Sequence, residues 1–151
     1  KLTTDGTIVK DTGTTTATPI GVFLGVSYTN PSTKQKLFAQ YWPAGTVASD
    51  AVAYVQDDPD LLMKVVAVSA TTTPAAVGQW AVGYNAAFVQ NSGSTTTGDS
   101  AVAALAGTVG TTDAYALRVI DVVPETATSA TAFTEVIVKI NNHQYLSNQG
   151  V

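Results

Sequence analysis

The sequence predicts an all-β protein, an antiparallel β-sandwich or barrel with an extended N-terminal arm and at most one short helix. Three observations carry this. Strand-like runs recur about 8–12 residues apart, punctuated by Gly, Pro and Thr. Two runs, Tyr115–Val123 and Thr134–Ile140, alternate cleanly between apolar and polar positions. Only 12% of residues are charged, about half the usual ~25%, so Thr, Ser, Ala, Gly and Asn must cover the surface, a composition that suits sheet.

The elements follow in chain order. Residues 1–19 are polar and Thr-rich, broken only by Thr7-Ile8-Val9-Lys10. They have no apolar face of their own and read as an extended arm that orders on a partner surface. Residues 20–151 then form one β domain. Val22, Leu24 and Val26 share one strand face, with Phe23 and Gly25 opposite. Asn30-Pro31-Ser32-Thr33 is a turn, with Pro presetting φ. The chain returns as a strand over Lys36–Trp42, completing a hairpin. That strand places Phe38, Gln40 and Trp42 on one face and Leu37, Ala39 and Tyr41 on the other.

Pro43-Ala44-Gly45-Thr46 breaks the sheet, Ala51–Gln56 is a third strand, and Asp57-Asp58-Pro59-Asp60 is an acidic turn before a fourth strand over Leu61–Ser69. Thr73 and Pro74 carry a helix-start signature, but Gly78 and Gly83 keep any helix short. Ala86–Gln90 reads as a strand and Asn91–Ser100 as a polar loop. Ala101–Leu105 fits helix or strand equally. Pro124–Thr131 reads as a loop.

Composition bounds function. A chain of 151 residues fits one domain and buries one core without staples. The formal net charge is −4 with no basic stripe, which argues against nucleic acid and against a polybasic membrane contact. No apolar run approaches the ~18 residues of a membrane helix. Lys1-Leu2-Thr3-Thr4 has no apolar core of a signal peptide, and position 1 is not Met, which leaves trimming and processing both open. There are no cysteines, so disulfides, thiolate nucleophiles and thiolate metal sites are excluded.

Chemistry finds little purchase, and the chain is not expected to be an enzyme or to carry a cofactor or metal. His143, the lone His, lies in Asn141-Asn142-His143-Gln144-Tyr145 without a GxSxG elbow elsewhere, so a hydrogen-bonding rim at a strand end is preferred to a catalytic triad. Asp57, Asp58 and Asp60 lack the spacing of a calcium loop and its bidentate Glu, so they read as solvated or capping carboxylates. Asp121, Glu125 and Glu135 are not paired by anything in the sequence as glycosidase acids would be. Phosphate-cradling glycine motifs are absent. The aromatic cluster Phe38, Tyr41 and Trp42 combines large contact area with low entropy loss, which suits an interface anchor as well as a core.

The stretch Gly21–Asp60, the loop Ser92–Gly98 and the VIVKINNHQY segment together resemble the small virion structural proteins of tailed marine bacteriophages. QYWPAGT and NNHQY are the specific pieces; the Ser/Thr/Gly loop is weak alone. Pro74–Phe88 departs most from the family form. The resemblance implies a head component of the decoration or cement type. Such a protein binds the outside of the assembled capsid, bridges neighbouring subunits and stabilises the shell. It further implies the major capsid protein as partner, a homotrimer, assembly in the host cytoplasm and location on the capsid surface of the virion. The contacts expected on this reading are Ile8, Val9, Thr15 and Thr16 of the arm, Tyr41 and Trp42, and Asn142, His143 and Tyr145. The alternative is a carbohydrate- or host-surface-binding head fibre, spike or tail-associated module, with Tyr41 and Trp42 as a stacking platform.

Overall fold

A computed structural model describes residues 1–127 and 133–146. The chain is all-β, as its patterning predicts, and divides into a three-stranded sheet and a closed five-stranded barrel. The first three strands are β1 (Val22–Thr29), β2 (Lys36–Ala39) and β3 (Val52–Gln56), in the antiparallel order β2-β1-β3. The barrel contains β4 (Leu62–Val68), β5 (Asn85–Asn91), β6 (Ala101–Gly110), β7 (Leu117–Val122) and β8 (Glu135–Ile140). Its order is β4-β6-β5-β7-β8, closed by antiparallel pairing of β8 with β4. One seam is parallel: β4 meets β6 through Ala67 opposite Ala104 and Val68 opposite Leu105.

Five strands enclose little room, so the inward positions are small. Ala67, Ala86, Ala104, Val119, Val136 and Val138 fill the interior around the single larger Leu117. Alternation along β8 is complete: Val136, Val138 and Ile140 are buried while Glu135, Ile137 and Lys139 are only partly covered. Val77 enters the core from the β4–β5 connection and closes one end.

That connection differs from the helix-start reading. Pro74 bridges back to Val68 in extended conformation, and Ser69 N–H donates to the Thr73 carbonyl (3.0 Å). Only a three-residue 3-10 turn forms, at Gln79–Ala81. Burying Val77 in the barrel outweighs the local propensity of Thr-Pro-Ala-Ala. The ambiguous Ala101–Leu105 segment begins the long β6, because its Ala residues match the narrow interior. The Pro124–Thr131 segment opens with a 3-10 turn at Pro124–Thr126, and its end lies outside the described residues.

The N-terminal segment is laid on the barrel. Residues 1–9 turn back as a tight hairpin, with Leu2 bridging Ile8 and Val9 N–H donating to the Lys1 carbonyl (2.9 Å). From Lys10 onward the chain runs along β5. Strand β7 pairs with β5 only at Asn85 and Ala86, so the β5 edge beyond them is open. There Phe88 N–H donates to the Thr14 carbonyl (3.3 Å), and Gln90 Nε2 donates to the carbonyls of Asp11 (3.0 Å) and Gly13 (3.1 Å). Asp11 braces the segment by accepting from the N–H groups of Gly13 and Thr18. Ala17, Pro19 and Ile20 are buried. Gly21 then passes so close to β3 that a Cβ would lie 2.0 Å from the Gln56 carbonyl oxygen.

Candidate interaction surface

The small sheet has two unlike faces. Cross-strand partners share a face, so Val26, Tyr28, Leu37, Ala39, Ala53 and Val55 point one way. That face is covered by its own chain: Val26 and Tyr28 are buried, and Trp42 packs edge-on against Tyr28 with ring centroids 5.2 Å apart.

The other face carries Ser27, Phe38, Val52 and Tyr54, with Gly25 opposite Tyr54. A bulge between Phe23 and Gly25 adds Leu24 to this side, where it lines a depression together with Gly25, Phe38, Gln40 and Tyr54. Nothing among the described residues covers it: Phe38 is 76% exposed, Leu24 60%, Val52 52% and Tyr54 48%. The depression is about 250 Å³ and lies over Gly25. Gly25 is at φ +152°, and a Cβ there would meet the Ala39 carbonyl oxygen at 2.9 Å, so the floor stays bare. Tyr54 Oη donates to Ser27 Oγ (3.3 Å), which holds its ring across β1 as one wall.

Trp42 is not on this face. A strand continuing to residue 42 would align it with Phe38, but β2 stops at Ala39 and the chain turns. The turn carries Trp42 to the opposite side, where the buried Tyr28 offers its ring. Tyr41 is half-buried, and Gly98 of the β5–β6 loop sits against Gln40 and Tyr41. Phe38, read in the sequence as one member of an aromatic cluster, is therefore the most protruding aromatic of this sheet. Its place opposite Ser27 and beside Gly25 emerges only from the strand register.

The other expected contacts are scattered. Ile8 and Val9 are exposed on the N-terminal hairpin, and Thr15 and Thr16 are exposed where the segment crosses β5. Asn142 donates through Nδ2 to the Ala114 carbonyl (2.8 Å), and Asn141 Nδ2 donates to the Tyr115 carbonyl (3.2 Å). Tyr145 is exposed. His143 is 1% exposed, so in this fold its ring meets its own chain. Its Nδ1 accepts from the Tyr145 N–H (3.1 Å), which places the ring proton on Nε2. That Nε2 is buried with no hydrogen-bond partner among the described residues.

The acidic turn is engaged locally. Asp58 accepts from the Asp60 N–H (2.8 Å), and Asp60 pairs with Lys139. Among the described residues, no group of three or more His, Asp or Glu side chains is placed to hold a metal ion.

A second exposed aromatic pair lies on the barrel. Trp80 and Tyr84 have centroids 6.4 Å apart at 56°, and the Trp80 indole rests on Gly78. No protein-family model, curated protein or solved structure matches the chain.

Proposed function

We propose that this protein is a structural component of a bacteriophage head, a decoration or cement protein that binds the outside of the assembled capsid and bridges neighbouring capsid subunits. One observation carries the assembly part of this reading: Leu24, Phe38, Val52 and Tyr54 form an apolar sheet face that the described residues leave uncovered. Surfaces of this kind mark sites of association, and a face whose one strand charge, Lys36, is already paired with Asp50 is desolvated at little cost. The phage part rests on the resemblance carried by QYWPAGT and NNHQY. The exposed hairpin with Ile8 and Val9 supplies a second point of attachment to the major capsid protein.

The energetics need no chemistry. A protein that binds only the assembled shell stabilises it by mass action. Contacts repeated over symmetric sites, or held together in one oligomer, gain by effective concentration. Co-sedimentation with purified shells lacking the protein tests this directly. Saturable binding is expected, and its absence at about 100 µM protein, far above a micromolar dissociation constant, contradicts the proposal.

Trp80 and Tyr84 favour a second reading, a carbohydrate-binding surface module. They form an exposed aromatic pair with Trp80 at 61% exposure, whereas Trp42, at 41%, has one ring edge packed on Tyr28. Quenching of Trp fluorescence by glycans, lost in Trp80→Ala, would select that reading.

A further inference from the structure

We infer that the uncovered face of the β2-β1-β3 sheet is a contact between two copies of this chain, in which Phe38 of each seats in the depression over Gly25 of the other. This deepens the assembly reading above and rests on it. A sheet with two apolar faces needs a layer on each. Among the described residues the Tyr28 face has its layer and the Phe38 face has none.

The choice of a second copy comes from the shape of the face. A two-fold contact places the same patch on both sides, so a protrusion must meet a hollow on the same patch. This patch has both. Phe38 stands out at 76% exposure, and the hollow of about 250 Å³ adjoins it. An enclosed cavity of about 150 Å³ accepts a benzene ring, so this open depression, walled in part by Phe38 itself, leaves room for a phenyl side chain to lie in it. Leu24 and Tyr54 would flank the incoming ring, and the two Phe38 rings would lie beside one another.

Charge agrees with self-contact. The only charged residue of the three strands is Lys36, at the far end of β2, and its ammonium is already paired with Asp50 (3.2 Å). Two such faces therefore meet without opposing like charges.

Area bounds the size of the contact. The four exposed apolar side chains offer roughly 450 Å² per copy, so pairing hides about 900 Å², below the ~1,200 Å² of the smallest stable interfaces. The contact is thus small and reversible, in the class of weak, transient associations. It is two-fold, so any three-fold contact uses another surface.

Sedimentation equilibrium of the purified protein without shells, from about 5 µM to about 1 mM, tests the inference. The expected result is a concentration-dependent doubling of mass. Phe38→Ser should raise the dissociation constant about 30-fold or more, as loss of a central anchor does. Phe38 is exposed, so the variant should keep its melting temperature, and Trp80→Ser should leave the association unchanged. A wild type of constant mass over the range, or Phe38→Ser pairing as tightly as wild type, overturns the inference. Loss of shell binding in Phe38→Ser with a wild type that never pairs would assign the face to the capsid instead. Pairing without any shell binding would leave this contact standing and remove the head-protein reading.

Discussion

Gln144 clasps the backbone of Leu2 across 142 residues of sequence: Leu2 N–H donates to Gln144 Oε1 (2.8 Å) and Gln144 Nε2 donates to the Leu2 carbonyl (3.4 Å). The Gln144 N–H also donates to the Pro19 carbonyl (3.0 Å), so both ends of the N-terminal segment are tied to one residue after β8. Each such bond contributes about 0.5–1.5 kcal/mol net. Gln144→Ala removes the two side-chain bonds and keeps the backbone one. Hydrogen exchange over residues 1–9 should then accelerate about tenfold, while the global melting temperature moves by only a few degrees, as ~1 kcal/mol does in a domain of this size.

Truncation should separate the hairpin from the strap behind it. Residues 1–9 bury little, so deleting them should leave stability within about 1 kcal/mol while weakening shell binding. Deleting residues 1–18 also removes the buried Ala17, the bond from Phe88 and both bonds from Gln90. Stability should fall by about 2–4 kcal/mol. Urea melts of the two truncations check this; equal stability would show that the strap contributes nothing to the barrel.

His143 should behave as a packing residue. Its buried Nε2–H lacks a partner among the described residues, which costs about 1–3 kcal/mol, while Nδ1 gains the Tyr145 N–H. His143→Phe removes the cost and the gain together and should fall within about 1 kcal/mol of wild type. His143→Ala opens a cavity and should lose about 2–4 kcal/mol. Thermal melts of the two variants decide; comparable losses in both would show that the imidazole nitrogens matter more than its volume.

The small sheet should be acid-sensitive. The Thr29 backbone N–H (3.0 Å), the Thr29 hydroxyl (2.7 Å) and Lys36 hold the Asp50 carboxyl well below the usual carboxylate range. Lys139 lowers Asp60 likewise. A depressed pKa in the folded chain means that stability is present above the ordinary value near ~3.9 and lost as pH falls toward the folded value. The melting temperature should therefore drop below about pH 4. Asp50→Asn should be the less stable protein at pH 7, with the gap narrowing steadily as pH falls below the ordinary carboxylate value. A gap that persists undiminished would contradict the assignment.

Much of the architecture was legible in period-two alternation. Strand β8 and the core of β7 lie where Val136, Val138, Leu117 and Val119 predict them. The closure of the barrel was not legible, because its parallel seam joins Ala67 and Val68 to Ala104 and Leu105, small residues with weak hydrophobic contrast. The helix signature at Thr73-Pro74 yielded to the burial of Val77, a tertiary demand that local sequence does not display. The same holds for the candidate surface. Tyr41 and Trp42 drew attention as aromatics, yet the turn after Ala39 folds Trp42 onto Tyr28 and leaves Phe38 outside. A bulge at Leu24 and a bare Gly25 make the hollow beside it, and neither is visible without the register of β1 against β3.

The most direct test of the head-protein account is calorimetry of capsid shells lacking this protein, heated alone and with saturating protein. The account predicts that the shell transition moves upward with occupancy and stops moving once the sites are full. A shell transition that stays in place at saturating protein would contradict it.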